Sequence, residues 1–213
     1  MTADNTGTSP RQEGQERREP DGRAAVRRDY ARSWARFAKV GVPFGVLWAA
    51  SLVIGAQALL PVAIVGFFGF AVPLALHCQR LLWTWRCGRV LRRYPLVFRG
   101  PVDRVQRTNQ GLLVFRFTDT GAGSSGVPIM QGVQNMKRDR WPRGFEDGVW
   151  FAGDEVFGGA AVVPATGELV WMQPRDWGRL KDRREEAGPE RRRTARRAGI
   201  GRRVSPLLHA PVG

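Results

Sequence analysis

The hydrophobic and polar positions of this chain fall into sharply different stretches. Residues 40–79, between Lys39 and Arg80, are forty residues without a charge; their polar members are Ser51, Gln57, His77 and Gln79. One helix needs about 20 apolar residues to cross about 30 Å of hydrocarbon, so the run predicts two transmembrane helices with a tight turn. Gly55 and Gln57 relax the apolar pattern near the middle. Pro61 suits the first turn of a second helix, where its missing N–H costs no hydrogen bond. The predicted spans are residues 40–58 and 60–82.

The flanks of this run are basic. Val26, Tyr30, Trp34 and Phe37 fall on one helical face, with Arg27, Arg28, Arg32 and Arg36 around the rest. Residues 23–39 therefore predict an amphipathic helix lying on the cytoplasmic leaflet. The alternative is a straight extension of the first span. Beyond the second span, residues 83–96 form a basic neck with Arg86, Arg89, Arg92 and Arg93, and Arg80 precedes it. Pro95 ends the helical pattern there. Trp34 before the run, and Trp83 and Trp85 after it, suit interfacial belts. Basic loops stay on the cytoplasmic side, so both termini are expected in the cytoplasm, with the turn outside.

Residues 97–174 change to a period of two. Leu113, Phe115 and Phe117 alternate with Val114 and Arg116, as in a half-buried strand. The predicted strands are 102–107, 112–118, 127–131, 149–152, 159–163 and 168–173. Asn109–Gly111 and Thr166–Gly167 read as hairpin turns, and residues 136–148 as a loop. Short strands at close spacing predict a small all-β domain, a barrel or a sandwich. Phe98, Phe115, Phe117, Trp150, Phe151, Phe157 and Trp171 are its candidate core.

Composition changes the picture at the two ends. Residues 1–22 are polar and rich in Gly, Pro, Glu and Arg, too poor in apolar groups to fold. Residues 175–213 hold twelve basic and five acidic side chains, and predict an Arg-rich, mostly disordered tail. The net charge of +15 is thus concentrated beside the apolar run and in the tail, since residues 100–174 hold seven basic and eight acidic groups. That distribution fits an anionic inner leaflet. A nucleic-acid partner is disfavoured, because Trp177 is the tail's only ring available for base stacking.

No complete catalytic constellation is legible. Gly121–Gly126 spells G-x-G-x-x-G after a strand, but Val127-Pro128 follows it where a dinucleotide site needs a helix. The two histidines, His77 and His209, lie in the apolar run and the terminal tail. Cys78 and Cys87 fit neither a disulfide framework nor a zinc site. No cofactor or metal is expected, and the chain reads as non-catalytic. Gly41 and Gly45 form a small-residue face in the first span. It predicts packing against the chain's own second span, with homodimerisation as the alternative.

The basic stretch 86–93 followed by the β segment with Trp150–Asp154 and Phe157–Gly159 resembles a loose group of uncharacterised actinobacterial two-span membrane proteins. The resemblance implies a membrane hairpin followed by a cytosolic β domain, and implies no activity. The expected role is a membrane-anchored interaction module whose β domain meets a protein partner in the cytoplasm. The alternative is a membrane-tethered nucleic-acid binder acting through its Arg-rich tails.

Overall fold

A computed structural model describes residues 19–55, 59–107, 113–118, 128–133 and 142–204. The expected disorder of residues 1–18 and 205–213, the Asn109–Gly111 turn and the Gly121–Gly126 loop lie outside the described residues.

Two long helices open the fold. α1 (Gly22–Ile54) begins where the Asp21 side chain accepts from the Arg23 N–H at 2.9 Å, and it ends at Gly55. α2 (Leu60–Leu91) carries Pro61 in its first turn. Both are long and apolar enough to cross a membrane, and their apolar stretches are largely unburied by the protein itself. Val53 is 87% exposed and Phe68 59%. Nothing in the described chain covers these side chains, as is expected of surfaces that face lipid.

Residues 23–39 do not form a separate element. α1 runs without a break from Gly22 into the apolar stretch, so the leaflet-lying helix gives way to a straight extension. The reason is polar. The face turned towards α2 is Ala25, Asp29 and Ser33, one position before the apolar stripe of Val26, Tyr30 and Trp34.

Seven strands follow: β1 (Val97–Arg99), β2 (Val102–Arg107), β3 (Leu113–Phe117), β4 (Met130–Gly132), β5 (Val149–Asp154), β6 (Gly158–Val162) and β7 (Leu169–Pro174). They make one antiparallel sheet in the order β1-β5-β6-β7-β4-β3-β2. Its outermost strands, β1 and β2, are neighbours in the chain, separated only by Gly100 and Pro101. The sheet therefore curls into a half-barrel, and the sandwich alternative, which needs two sheets, is set aside. Gly167, at φ +63°, makes the expected β6–β7 turn. β1 was not expected, because three residues are too few to show a period.

Two cores lie on opposite sides of this sheet. Inside the curl, Phe115 meets Phe117 and Phe145 with ring centroids 5.5 and 5.1 Å apart. Phe145 comes from the expected loop and closes that interior, fully buried. On the outer face, Ala152, Ala160 and Trp171 pack against Trp83, Cys87 and Val90 of α2. β6 and β7 are buried along their whole length for this reason. Small residues in Gly158–Val162 let α2 come close.

The neck and the tail depart furthest from expectation. Residues 83–91 are the last turns of a helix docked on the sheet, so the basic neck is buried along one side. Two helices occupy the expected disordered tail, α3 (Lys181–Glu186) and α4 (Gly188–Ala198). Ala195, Ala198 and Ile200 are fully buried in the outer core. α4 is tied to β5 where Arg191 meets Asp154 at 2.8 Å, and the chain after it is tied to β7 where Gln173 donates to the Val204 carbonyl at 2.9 Å. A few apolar contacts together with these polar ties order a segment that composition alone reads as solvated.

Candidate functional site

The polar side chains of the helical hairpin gather at its foot, where it meets the sheet. Asp29 is the only acidic residue between Arg23 and Lys39. Its Oδ1 accepts from Arg80 Nη2 at 2.9 Å, and its Oδ2 accepts from the Thr84 hydroxyl at 2.6 Å. The Asp29 side chain is 7% exposed and Arg80 32%. A buried carboxylate is tolerable only with such partners.

One helical turn closer to the apolar stretch, Ser33 Oγ lies 3.0 Å from His77 Nδ1. The imidazole is held between two rings. Phe37 stacks on it at 4.9 Å and 20°, and Trp34 meets it edge-on at 4.6 Å. The hydroxyl–imidazole spacing is that of a nucleophile and its base. Both groups are buried, however, and among the described residues His77 Nε2 has no hydrogen-bond partner to orient it. A substrate would have to displace Trp34 or Phe37 to reach them. What the arrangement does chemically is join α1 to α2.

Above these rungs the helices touch through small residues. Gly66 of α2 lies so close to Trp48 that a Cβ would sit 2.9 Å from the Trp48 backbone nitrogen. Gly45 faces the Phe70 ring of α2, while Gly41 is covered by Phe37 of its own helix. Gly66 is therefore where one helix comes closest to the other's backbone, and Gly69 lies against the Phe44 ring of α1; the Gly41/Gly45 pattern pointed to neither.

The remaining predicted surface residues divide by environment. Trp83, expected at a lipid interface, is buried in the protein with its ring 6.1 Å from Trp171. Arg80, expected at the same surface, is committed to Asp29. Arg32 donates to the Thr166 carbonyl at 3.4 Å, so the β6–β7 turn rests against α1. Arg86 lies over Trp83 at 4.9 Å, and Arg89 over the exposed Trp85 at 4.8 Å. Arg89 also donates to the Arg197 carbonyl at 2.8 Å, linking α2 to the end of α4. Arg27, Arg28, Arg36, Arg92 and Arg93 are exposed.

The basic tail is partly engaged. Arg184 stacks over Trp177 at 4.1 Å and donates to the Trp177 carbonyl, and burial holds its pKa below the usual arginine range. Arg193, Arg196, Arg197, Arg202 and Arg203 have exposed side chains. Among the described residues, no three His, Cys, Asp or Glu side chains converge as metal ligands. Compared with known proteins, the chain matches no family model, no curated protein and no solved structure.

Proposed function

We propose that this chain is an integral membrane protein with both termini in the cytoplasm, whose β domain is a non-catalytic interaction module held at the inner leaflet. One observation carries the reading. α2 passes without interruption from an unburied apolar stretch into last turns, from Trp83 on, that are buried against the sheet. A flexible tether would leave the domain free to turn. Here Trp83, Cys87 and Val90 fix its orientation to the same helix that would lie in the bilayer. The charge-free turn and the basic flanks support the orientation.

Two measurements test this. A reporter placed at residue 57 is expected to act outside the membrane, and reporters at either terminus inside. A C-terminus reached from outside by an impermeant reagent would overturn the scheme. In mild detergent, a chain lacking residues 97–174 is expected to lose protein partners that the full chain captures. Identical captured sets would remove the interaction role.

The second reading, nucleic-acid binding, has one observation in its favour, the exposed arginines of α4 and the segment after it. The folded segment offers no ring beside them except Trp177, which Arg184 already covers. A sequence-independent phosphate contact is all this surface would supply.

A further inference from the structure

We propose, resting on the membrane reading of the hairpin, that the free face of α1 holds one anionic phospholipid of the inner leaflet. Its phosphate would lie on Arg36 and Lys39 and its acyl chains on the apolar residues above them. Arg32, Arg36 and Lys39 stand four and three residues apart, so they share one face of the helix. All three are exposed. The side of α1 that meets α2 is a different one, carrying Asp29, Ser33, Phe44 and Trp48. The same alternation of four and three continues through Pro43, Val46, Ala50 and Val53, which are exposed as well. One stripe is therefore cationic at its foot and apolar above, the order of a lipid's head group and chains.

The depth of these cations is set by α2. Ser33 meets His77, and the Phe44 ring meets Gly69. Arg36 and Lys39 fall between these two rungs, level with the part of α2 between Gly69 and His77. That part has no charge and exposes Val72 at 54% and Leu76 at 45%. On one side of the hairpin, lipid chains would thus reach a level at which the other side already carries two cations. A cation at that depth is stabilised by an anion and not by hydrocarbon. Asp29, the only acid of α1, is committed to Arg80 and Thr84. Among the described residues Arg36 and Lys39 have no ion-pair partner. Phosphate oxygens are the anion abundant at that level of an inner leaflet.

The β6–β7 turn stands at the foot of the stripe, where Arg32 donates to the Thr166 carbonyl at 3.4 Å. A guanidinium offers a planar fork to phosphate oxygens, and Lys39 adds a point charge on a flexible stem. A zwitterionic head group brings its own cation, so the stripe selects a lipid with net negative charge. A second copy of this chain is the poorer occupant. Two such stripes packed face to face in the same orientation would set Arg36 against Arg36 and Lys39 against Lys39, and like charges repel.

The test is native mass spectrometry on the full chain, released from micelles that hold phosphatidylglycerol and phosphatidylcholine in equal amounts. One phosphatidylglycerol is expected to be retained over phosphatidylcholine by roughly fivefold, the contribution of about one cation at a charged leaflet. Arg36→Gln with Lys39→Gln, both exposed positions, is expected to abolish the preference. Arg92→Gln with Arg93→Gln removes the same charge at the far end of α2 and is expected to keep it. Excess glycerol phosphate, which has the head group without the chains, is expected not to displace the lipid. Equal retention of the two lipids, or loss of the preference in both double variants, would overturn the proposal. So would a preference that survives Arg36→Gln with Lys39→Gln, displacement by glycerol phosphate, or a lipid-free dimer. Alkaline extraction from phosphatidylcholine vesicles separates this from the membrane reading. A chain that stays inserted without lipid preference refutes the lipid site alone, and a chain that washes off refutes both.

Discussion

Asp29 and Arg80, 51 positions apart in sequence, hold their carboxylate and guanidinium groups 2.9 Å apart between the two long helices. Thr84 completes the contact, and its hydroxyl is also within 3.1 Å of the Arg80 carbonyl. Removing one partner of a buried pair leaves the other charge stranded. Asp29→Ala is expected to destabilise the hairpin by about 3 kcal/mol, the low end of the usual cost because Arg80 retains some solvent. Replacing both, as Asp29→Leu with Arg80→Met, is expected to recover most of that loss. Thermal unfolding in detergent across the double-mutant cycle checks this. Equal and additive losses would mean that the pair is not coupled.

Gly66 sets how closely the helices approach. A Cβ there would meet the Trp48 backbone at 2.9 Å, and backbone cannot turn aside. At Gly45 the nearest neighbour is the Phe70 ring at 3.0 Å, which can rotate. Gly66→Ala is therefore expected to cost about 1–3 kcal/mol, and Gly45→Ala clearly less. Comparing their melting temperatures tests the difference.

Burial of Ala195 and Ala198 holds α4 on the sheet. Ala198→Glu would place an unpaired charge in that core. Limited trypsin digestion is expected to cut within residues 191–197 much faster in this variant than in the natural chain. Equal cleavage would mean that α4 is not held in place.

The exposed arginines after α4 should respond to lipid charge. In nanodiscs with anionic lipid, residues 193–203 are expected to resist trypsin more than in neutral nanodiscs, and to lose that protection in moderate salt. Equal cleavage in both discs, with protection by added DNA at physiological salt, would favour the nucleic-acid reading.

Tyr94 makes the fold sensitive to alkali. Burial first, and then the Asp154 charge, push its folded pKa up to about 12, above the ordinary 10. Above pH 10 the unfolded chain releases this proton while the folded chain keeps it, so stability is fully present below pH 10 and falls as pH rises towards 12. Tyr30→Phe leaves Tyr94 as the sole tyrosine, and its tyrosinate absorbance is then expected to appear only near pH 12. Adding Tyr94→Phe is expected to flatten the stability profile between pH 10 and 12.

The sequence by itself determined what depends on local spacing. Forty uncharged residues with Pro61 near their centre specify two apolar helices, and alternation around Phe115 specifies a strand. Pairing was a different matter, because it joins positions with no local signal. Asp29 carries no local signal that marks it, and only the antiparallel register of α1 and α2 brings Arg80 and Thr84 to it. That register turned a leaflet-lying helix into one arm of a hairpin. The tail illustrates the same limit. Ala195, Ala198 and Ile200 are too few among arginines to predict order, because their stabilising effect exists only once α2 and the sheet supply a surface to cover them. Composition and periodicity describe what a segment prefers. Which charge is paired is decided by segments that meet only after folding.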